Sequence, residues 1–210
     1  MPSRANRAPA RPGNRQRQQV AAEAARILAT EGQRNYGIAK EKAAHRLGIR
    51  GRGGLPSNSE IEAELKRYQA LYGGQAHEHV LQRLRQASLE AMKFFRPFRP
   101  RLVGPVLEGT ADEHSRVTLH VFCETGDEVL MFLQQHGIAF EQEQRRIRWH
   151  DGSSRTLELV VVQAGGELFE LAVMAGKQWK QPPPDPIAGT TQRRAGRAEV
   201  ERLIAASQEN

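Results

Sequence analysis

Cys123 is the only cysteine in the chain, which excludes an intrachain disulfide and any multi-cysteine zinc site. It falls in a strand-like run with no base marked beside it, so it reads as a small core residue rather than a nucleophile. No apolar run approaches the roughly 20 residues needed to cross a bilayer. The arginine-rich N-terminus has no hydrophobic h-region, so neither a membrane protein nor a secretory precursor is expected, and the expected compartment is the cytoplasm of a bacterial-type cell. What is present, 210 residues with 39% apolar and 26% charged side chains, suits one medium domain or two small ones around a modest core.

The net charge of +7 conceals a division. Residues 1–101 hold 20 Lys and Arg against 8 Asp and Glu, whereas residues 102–210 hold 11 against 16. A basic first half favours a polyanion, RNA or DNA, through counterion release; a well-solvated helical surface explains the same composition. Residues 1–19 carry Arg4, Arg7, Arg11, Arg15 and Arg17 among Pro, Gly, Asn and Gln, a composition that predicts a disordered basic arm.

Residues 20–97 read as a helical region. Val20, Ala24, Ile27 and Leu28 recur at helical spacing before Gly32, and a second helix over 36–47 carries Lys40 and Lys42 and stops at Gly48. Two short helices so joined fit either a helix-turn-helix or an ordinary αα-hairpin. Arg50-Gly51-Arg52-Gly53-Gly54 is a basic loop whose glycines let backbone approach a phosphate, or else a plain linker. Lys40, Lys42, Arg50 and Arg52 are therefore the nucleic-acid contact candidates. A third helix runs to about Tyr72, and a fourth, about 76–95, has a wide apolar face from Val80 to Phe95. Pro97 and Pro100 then break the pattern and set the expected boundary.

Residues 98–180 predict an α+β domain with a mixed sheet in the order β-β-α-β-β-β and covering helices. Two β-prone runs, 102–107 and 117–122, flank a polar turn, and strands follow at 140–149, 155–163 and 168–174. In the second run Val117, Leu119 and Val121 share one face, with Thr118, His120 and Phe122 on the other. Residues 181–210 comprise a Pro-rich linker, an arginine patch (Arg193, Arg194, Arg197) and a final helix near 198–206.

Over about residues 101–175, Gly109-Thr110, Ser115 and the alternating strand Val117–Phe122 resemble the nucleotidyltransferase superfamily that includes DNA polymerase β. That family places a Gly-Gly or Gly-Ser turn about ten residues before two metal-binding acids, with a third carboxylate on a following strand. The resemblance implies phosphate contacts at Gly109, Thr110 and Ser115, acids at the positions held by Thr118 and His120, and a third carboxylate at Glu170 or, next best, Glu158. An intact family member would use Mg²⁺ to move a nucleotidyl group from an NTP. A threonine hydroxyl and an imidazole do not supply the anionic oxygens that Mg²⁺ requires. The expectation is therefore a nucleotidyltransferase-like protein impaired in catalysis that binds nucleotide or nucleic acid. The alternatives are a non-enzymatic interaction module or a helix-turn-helix DNA-binding regulator.

Overall fold

The computed structural model describes residues 12–33, 35–49, 55–176 and 181–207. The chain forms two compact units that divide between Tyr72 and Gly73.

The described residues of unit 1 form three helices, α1 (Pro12–Thr30), α2 (Tyr36–Arg46) and α3 (Asn58–Tyr72). Residues 12–19, expected within a disordered arm, instead form the first turns of α1. The helix is tied down by Arg17, whose guanidinium donates to Glu60 of α3 at 2.7 and 3.0 Å. Asn35 caps α2 by accepting from the Gly37 and Ile38 amides at 2.8 and 3.1 Å. At its other end Gly48 adopts φ +65°, and the Ile49 amide bonds back to the Ala44 carbonyl, a Schellman closure. Ser57 and Glu60 start α3 with a reciprocal capping box: the Glu60 amide donates to Ser57 Oγ and the Ser57 amide to Glu60 Oε2. The core between the helices is built largely from alanines: Ala21, Ala24, Ala25, Ala39, Ala43 and Ala44, with Val20, Ile27, Leu28, Ile61 and Leu65.

Unit 2 begins with α4 (Gly74–Phe94), passes a 3-10 turn at Arg96–Phe98, and continues as β1 (Arg101–Val103), α5 (Pro105–Glu108), β2 (Val117–Cys123), α6 (Asp127–Gln135), β3 (Phe140–Arg148), β4 (Ser154–Ala164), β5 (Glu167–Ala175) and α7 (Arg197–Ala206). It is an α+β unit with a five-stranded mixed sheet in the order β1-β2-β5-β4-β3; β2 and β5 are parallel and the other pairs antiparallel. The first strand is shorter than the apolar run 102–107 predicted. Gly104 turns the chain at φ +73°, and Pro105, with no amide hydrogen for a ladder, starts the one-turn helix α5.

The expected boundary near residues 97–100 is also moved. Leu84, Leu89, Met92 and Phe95 lie in one buried cluster with Leu119, Val121, Val160, Val162, Leu171 and Val173 of the sheet, as does Val200 of α7. The wide apolar face of α4 therefore covers the sheet, and the helix belongs to the same core. The alternation on β2 sends Val117, Leu119 and Val121 into that cluster. On the opposite sheet face Leu157, Leu159, Ala172 and Met174 form a second, smaller cluster packed by Phe122 and Ile147.

Candidate functional site

The parallel pairing of β2 with β5 places Thr118 beside Glu170 and His120 beside Ala172, on the face away from α4. Glu170 is the best-placed carboxylate of the expected constellation, and its charge is already compensated. Arg145 of β3 grips it with two hydrogen bonds, 3.1 Å to Oε1 and 2.6 Å to Oε2, and Arg116 approaches Oε2 at 3.5 Å while donating to both oxygens of Glu143 at 3.1 Å. Glu170 is only 4% exposed, so a metal ion would have to displace a bidentate guanidinium from a buried carboxylate. Two acids and two arginines thus form an alternating, nearly neutral cluster where two-metal chemistry would need an excess of negative oxygens.

Glu158 does not join this group. Its strand neighbours Val160 and Val162 lie on the α4-covered face, opposite to Glu170, and its exposed carboxylate accepts from Gln144 of β3 at 3.0 and 3.3 Å.

His120 is 2% exposed. Its Nδ1 accepts a 2.8 Å hydrogen bond from Arg194 Nε, so the neutral ring carries its proton on Nε2. Burial, reinforced by the Arg194 charge and opposed by a hydrogen bond with Gln192, lowers its pKa to about 3. Arg194 stacks 5.1 Å from the Phe122 ring centroid, and burial with the nearby Arg101 charge brings its own pKa down to about 10. The pair anchors the returning chain: one residue on, Ala195 exchanges two 2.9 Å backbone hydrogen bonds with Leu102 of β1. His120 is therefore a sealed structural contact, not an open ligand.

The predicted phosphate cradle is also closed on itself. Gly109 adopts φ +81° at the end of α5, and both its amide and that of Thr110 donate to the Pro105 carbonyl, at 2.9 and 3.0 Å. Neither N–H points free for a phosphate. The Gly109 carbonyl instead lies 3.2 Å from His77 Nε2, and Thr110 is buried. Ser115 Oγ donates to Asp112 Oδ1 at 2.7 Å and accepts from the Asp112 amide at 2.9 Å, closing a four-residue turn.

Of the nucleic-acid contacts expected in unit 1, Arg50 and Arg52 lie outside the described residues. Lys42 is bound to Glu31 at 2.5 Å, and Arg46 of the same helix bridges Glu31 and Glu23 at 2.6 and 3.1 Å; these bonds hold the Glu31 carboxyl down at about 2. Lys40 is half-buried and forms no ion pair among the described residues.

Arg116, Arg145 and Arg194, which hold the centre of unit 2, were not singled out as site residues by the sequence. Arg194 was visible only as a member of the Arg193–Arg197 patch, and the contacts of Arg116 and Arg145 depend on strand pairings distant in the chain. Cys123 is half-buried, and burial with Glu128 and Glu124 nearby raises its thiol to about 11, which keeps it protonated. No cluster of three or more His, Cys, Asp or Glu suited to a metal ion occurs among the described residues, and no described helix is long and apolar enough to cross a membrane. Comparison with protein-family models, with curated proteins and with solved structures finds no match to this chain.

Proposed function

We propose that the protein is a nucleotidyltransferase-like binder of nucleotide or nucleic-acid phosphates that does not carry out Mg²⁺-dependent nucleotidyl transfer. The observation that carries this reading is the Arg145–Glu170–Arg116 cluster: guanidinium groups sit where a transferase would need metal, on the one buried carboxylate beside Thr118. The parallel β2–β5 pair beside an antiparallel β1 supports the fold part of the reading, because it sets the Thr118 and Glu170 positions side by side. Binding then rests on arginine and lysine rather than on Mg²⁺, with NTP, RNA and DNA sharing the recognised phosphate.

The test is incubation of the full chain with labelled NTPs, Mg²⁺ or Mn²⁺ and mixed RNA and protein acceptors, alongside nucleotide and oligonucleotide binding in EDTA. Binding in EDTA without label transfer is the expected result. Metal-dependent labelling that disappears in Glu170→Gln would overturn it.

A second reading, a protein-interaction module, is favoured by one feature. A largely apolar groove of about 400 Å³ lies between α4 and the β4–β5 turn, lined by Ala91, Phe94, Ile138, Val162 and Ala164 among others. A groove sealed by a partner would leave phosphate binding absent and give stoichiometric protein capture instead.

A further inference from the structure

Two arginine-rich stretches almost a hundred residues apart are brought together by the Leu102–Ala195 backbone pair. The 3-10 turn and β1 contribute Arg96 and Arg101, α4 contributes Lys93 from its last turn, and α7 opens with Arg197. These four cations, with Met92 and Pro100, line a cleft of about 420 Å³. No acid lines it. Lys93 and Arg197 have partners one turn along their own helices, Glu90 and Glu201, each at 2.7 Å. Arg96 and Arg101 form no ion pair among the described residues, and the Arg101 guanidinium donates to the neighbouring Pro100 carbonyl at 3.1 Å.

The N-terminus of α7 faces the same place. Its N-cap, Gly196, provides no side-chain cap, and a Cβ built on Gly196 would lie 3.8 Å from Arg101 Nη1. The first turn of α7 holds one acid, Glu199, bound to Arg193 at 2.5 Å, and the guanidinium groups of Arg197 and Arg101 stand at the same positive end, where cations are ordinarily disfavoured. Arg194 stands just behind, holding its proton less firmly because of burial and Arg101. Such a concentration of positive charge is costly when empty and favourable around an anion. Paired guanidinium groups beside a helix N-terminus match the oxygens of a phosphate, bidentate on one side and amide-donated on the other.

We propose that this cleft is a phosphate-binding site for the phosphoryl end of a nucleotide or of a 5′-phosphorylated nucleic acid, with Arg96 and Arg101 as the principal contacts and Lys93 and Arg197 completing the charge. The choice of a nucleotide or nucleic-acid ligand rests on the phosphate-binding reading above; the anion site itself rests on the cleft.

The test uses the full chain and pyrophosphate at low salt, followed by calorimetry. Wild-type protein binds, Arg96→Ala/Arg101→Ala weakens binding at least about tenfold, and Arg96→Lys/Arg101→Lys retains an intermediate affinity. Arg146→Ala/Arg148→Ala, which removes the same formal charge from exposed positions on β3, leaves it unchanged. Failure of the wild type to bind, or an affinity in the double alanine variant within about twofold of wild type while its thermal unfolding is unchanged, overturns the site. Competition by ADP assigns the cleft to free nucleotides, and competition by a 5′-phosphorylated but not a 5′-hydroxyl oligonucleotide assigns it to nucleic-acid ends. Competition by neither overturns the choice of ligand. Oligonucleotide binding that persists in the double alanine variant removes the cleft while leaving the general phosphate-binding reading in place.

Discussion

Residues 1–72 hold 14 Lys and Arg against 6 Asp and Glu, whereas residues 73–210 hold 17 against 18. On formal charge alone the first unit is the polyanion binder and the second is neutral. The contacts change that ranking. Among the described cations of unit 1, Arg17, Arg26, Lys42, Arg46 and Arg67 are each paired with a glutamate of the same unit. In unit 2 Arg96 and Arg101 line the cleft beside the α7 N-terminus with no ion pair among the described residues, while Lys93, Arg193 and Arg197 near them pair with Glu90, Glu199 and Glu201. Attraction for a polyanion follows the charge left after local pairing, and a balanced count can conceal a strongly positive surface.

The cores differ in the same instructive way. Unit 1 packs alanines between three helices, with α1 against both α2 and α3. Unit 2 packs leucine, valine and phenylalanine from elements as far apart as α4 and α7 onto one sheet face. Unit 2 should therefore be the more sensitive to truncation.

The largest effect expected is on fragments. Residues 73–210 should fold alone, whereas residues 101–180, without α4 and α7, should not, because the α4-covered face of the sheet would be exposed. Circular dichroism decides this; a cooperatively folded 101–180 fragment would restore a boundary near Pro97. Next, Leu171→Ala, at a fully buried position in the sheet, should cost about 2–5 kcal/mol of unit 2 stability in urea unfolding.

A pH-dependent loss follows from His120. Its folded pKa, about 3, lies below the ordinary value of 6.5, so the unfolded chain takes up a proton first and stability is lost as pH falls from about 6.5 toward 3. Between about pH 7 and pH 5 the loss should reach about 2 kcal/mol, a window above the titration of the carboxylates. His120→Gln, which keeps an acceptor for Arg194, should flatten the curve there; an unchanged slope would show that His120 is not its source. The smallest effect belongs to unit 1: Asn35→Ala removes the cap of α2 and should cost about 1 kcal/mol, read as a shift in the unit 1 unfolding transition.

Local signals made the elements legible. The helical spacing of Val20, Ala24, Ile27 and Leu28, the stops at Gly32 and Gly48, and the alternation from Val117 to Phe122 all correspond to structure because each depends only on near neighbours. Three boundaries were not legible, the start of α1 at Pro12 among them. The first strand looked longer because Val106 and Leu107 are apolar, yet Pro105 forbids the ladder and both are buried from a helix. Helix α4 was assigned to the helical region before Pro97 because its partner surface is assembled from strands that come later in the chain. The candidate site was least legible, since its meaning depends on pairing across the sheet: Glu170 was visible as an acid on a strand, but Arg145 and Arg116, which neutralise it, are 25 and 54 residues away. The basic cleft likewise existed in the sequence only as two separate arginine stretches.

The proposed phosphate binding rests on guanidinium groups and not on a metal. It is tested most directly by titrating a fluorescent 5′-phosphorylated single-stranded oligonucleotide at several salt concentrations, in parallel with EDTA and with Mg²⁺. Equal affinity in the two series is expected, with a fall in log K with log salt of roughly 0.7 per phosphate neutralised. Absence of binding at low salt, or binding that requires Mg²⁺, would contradict it.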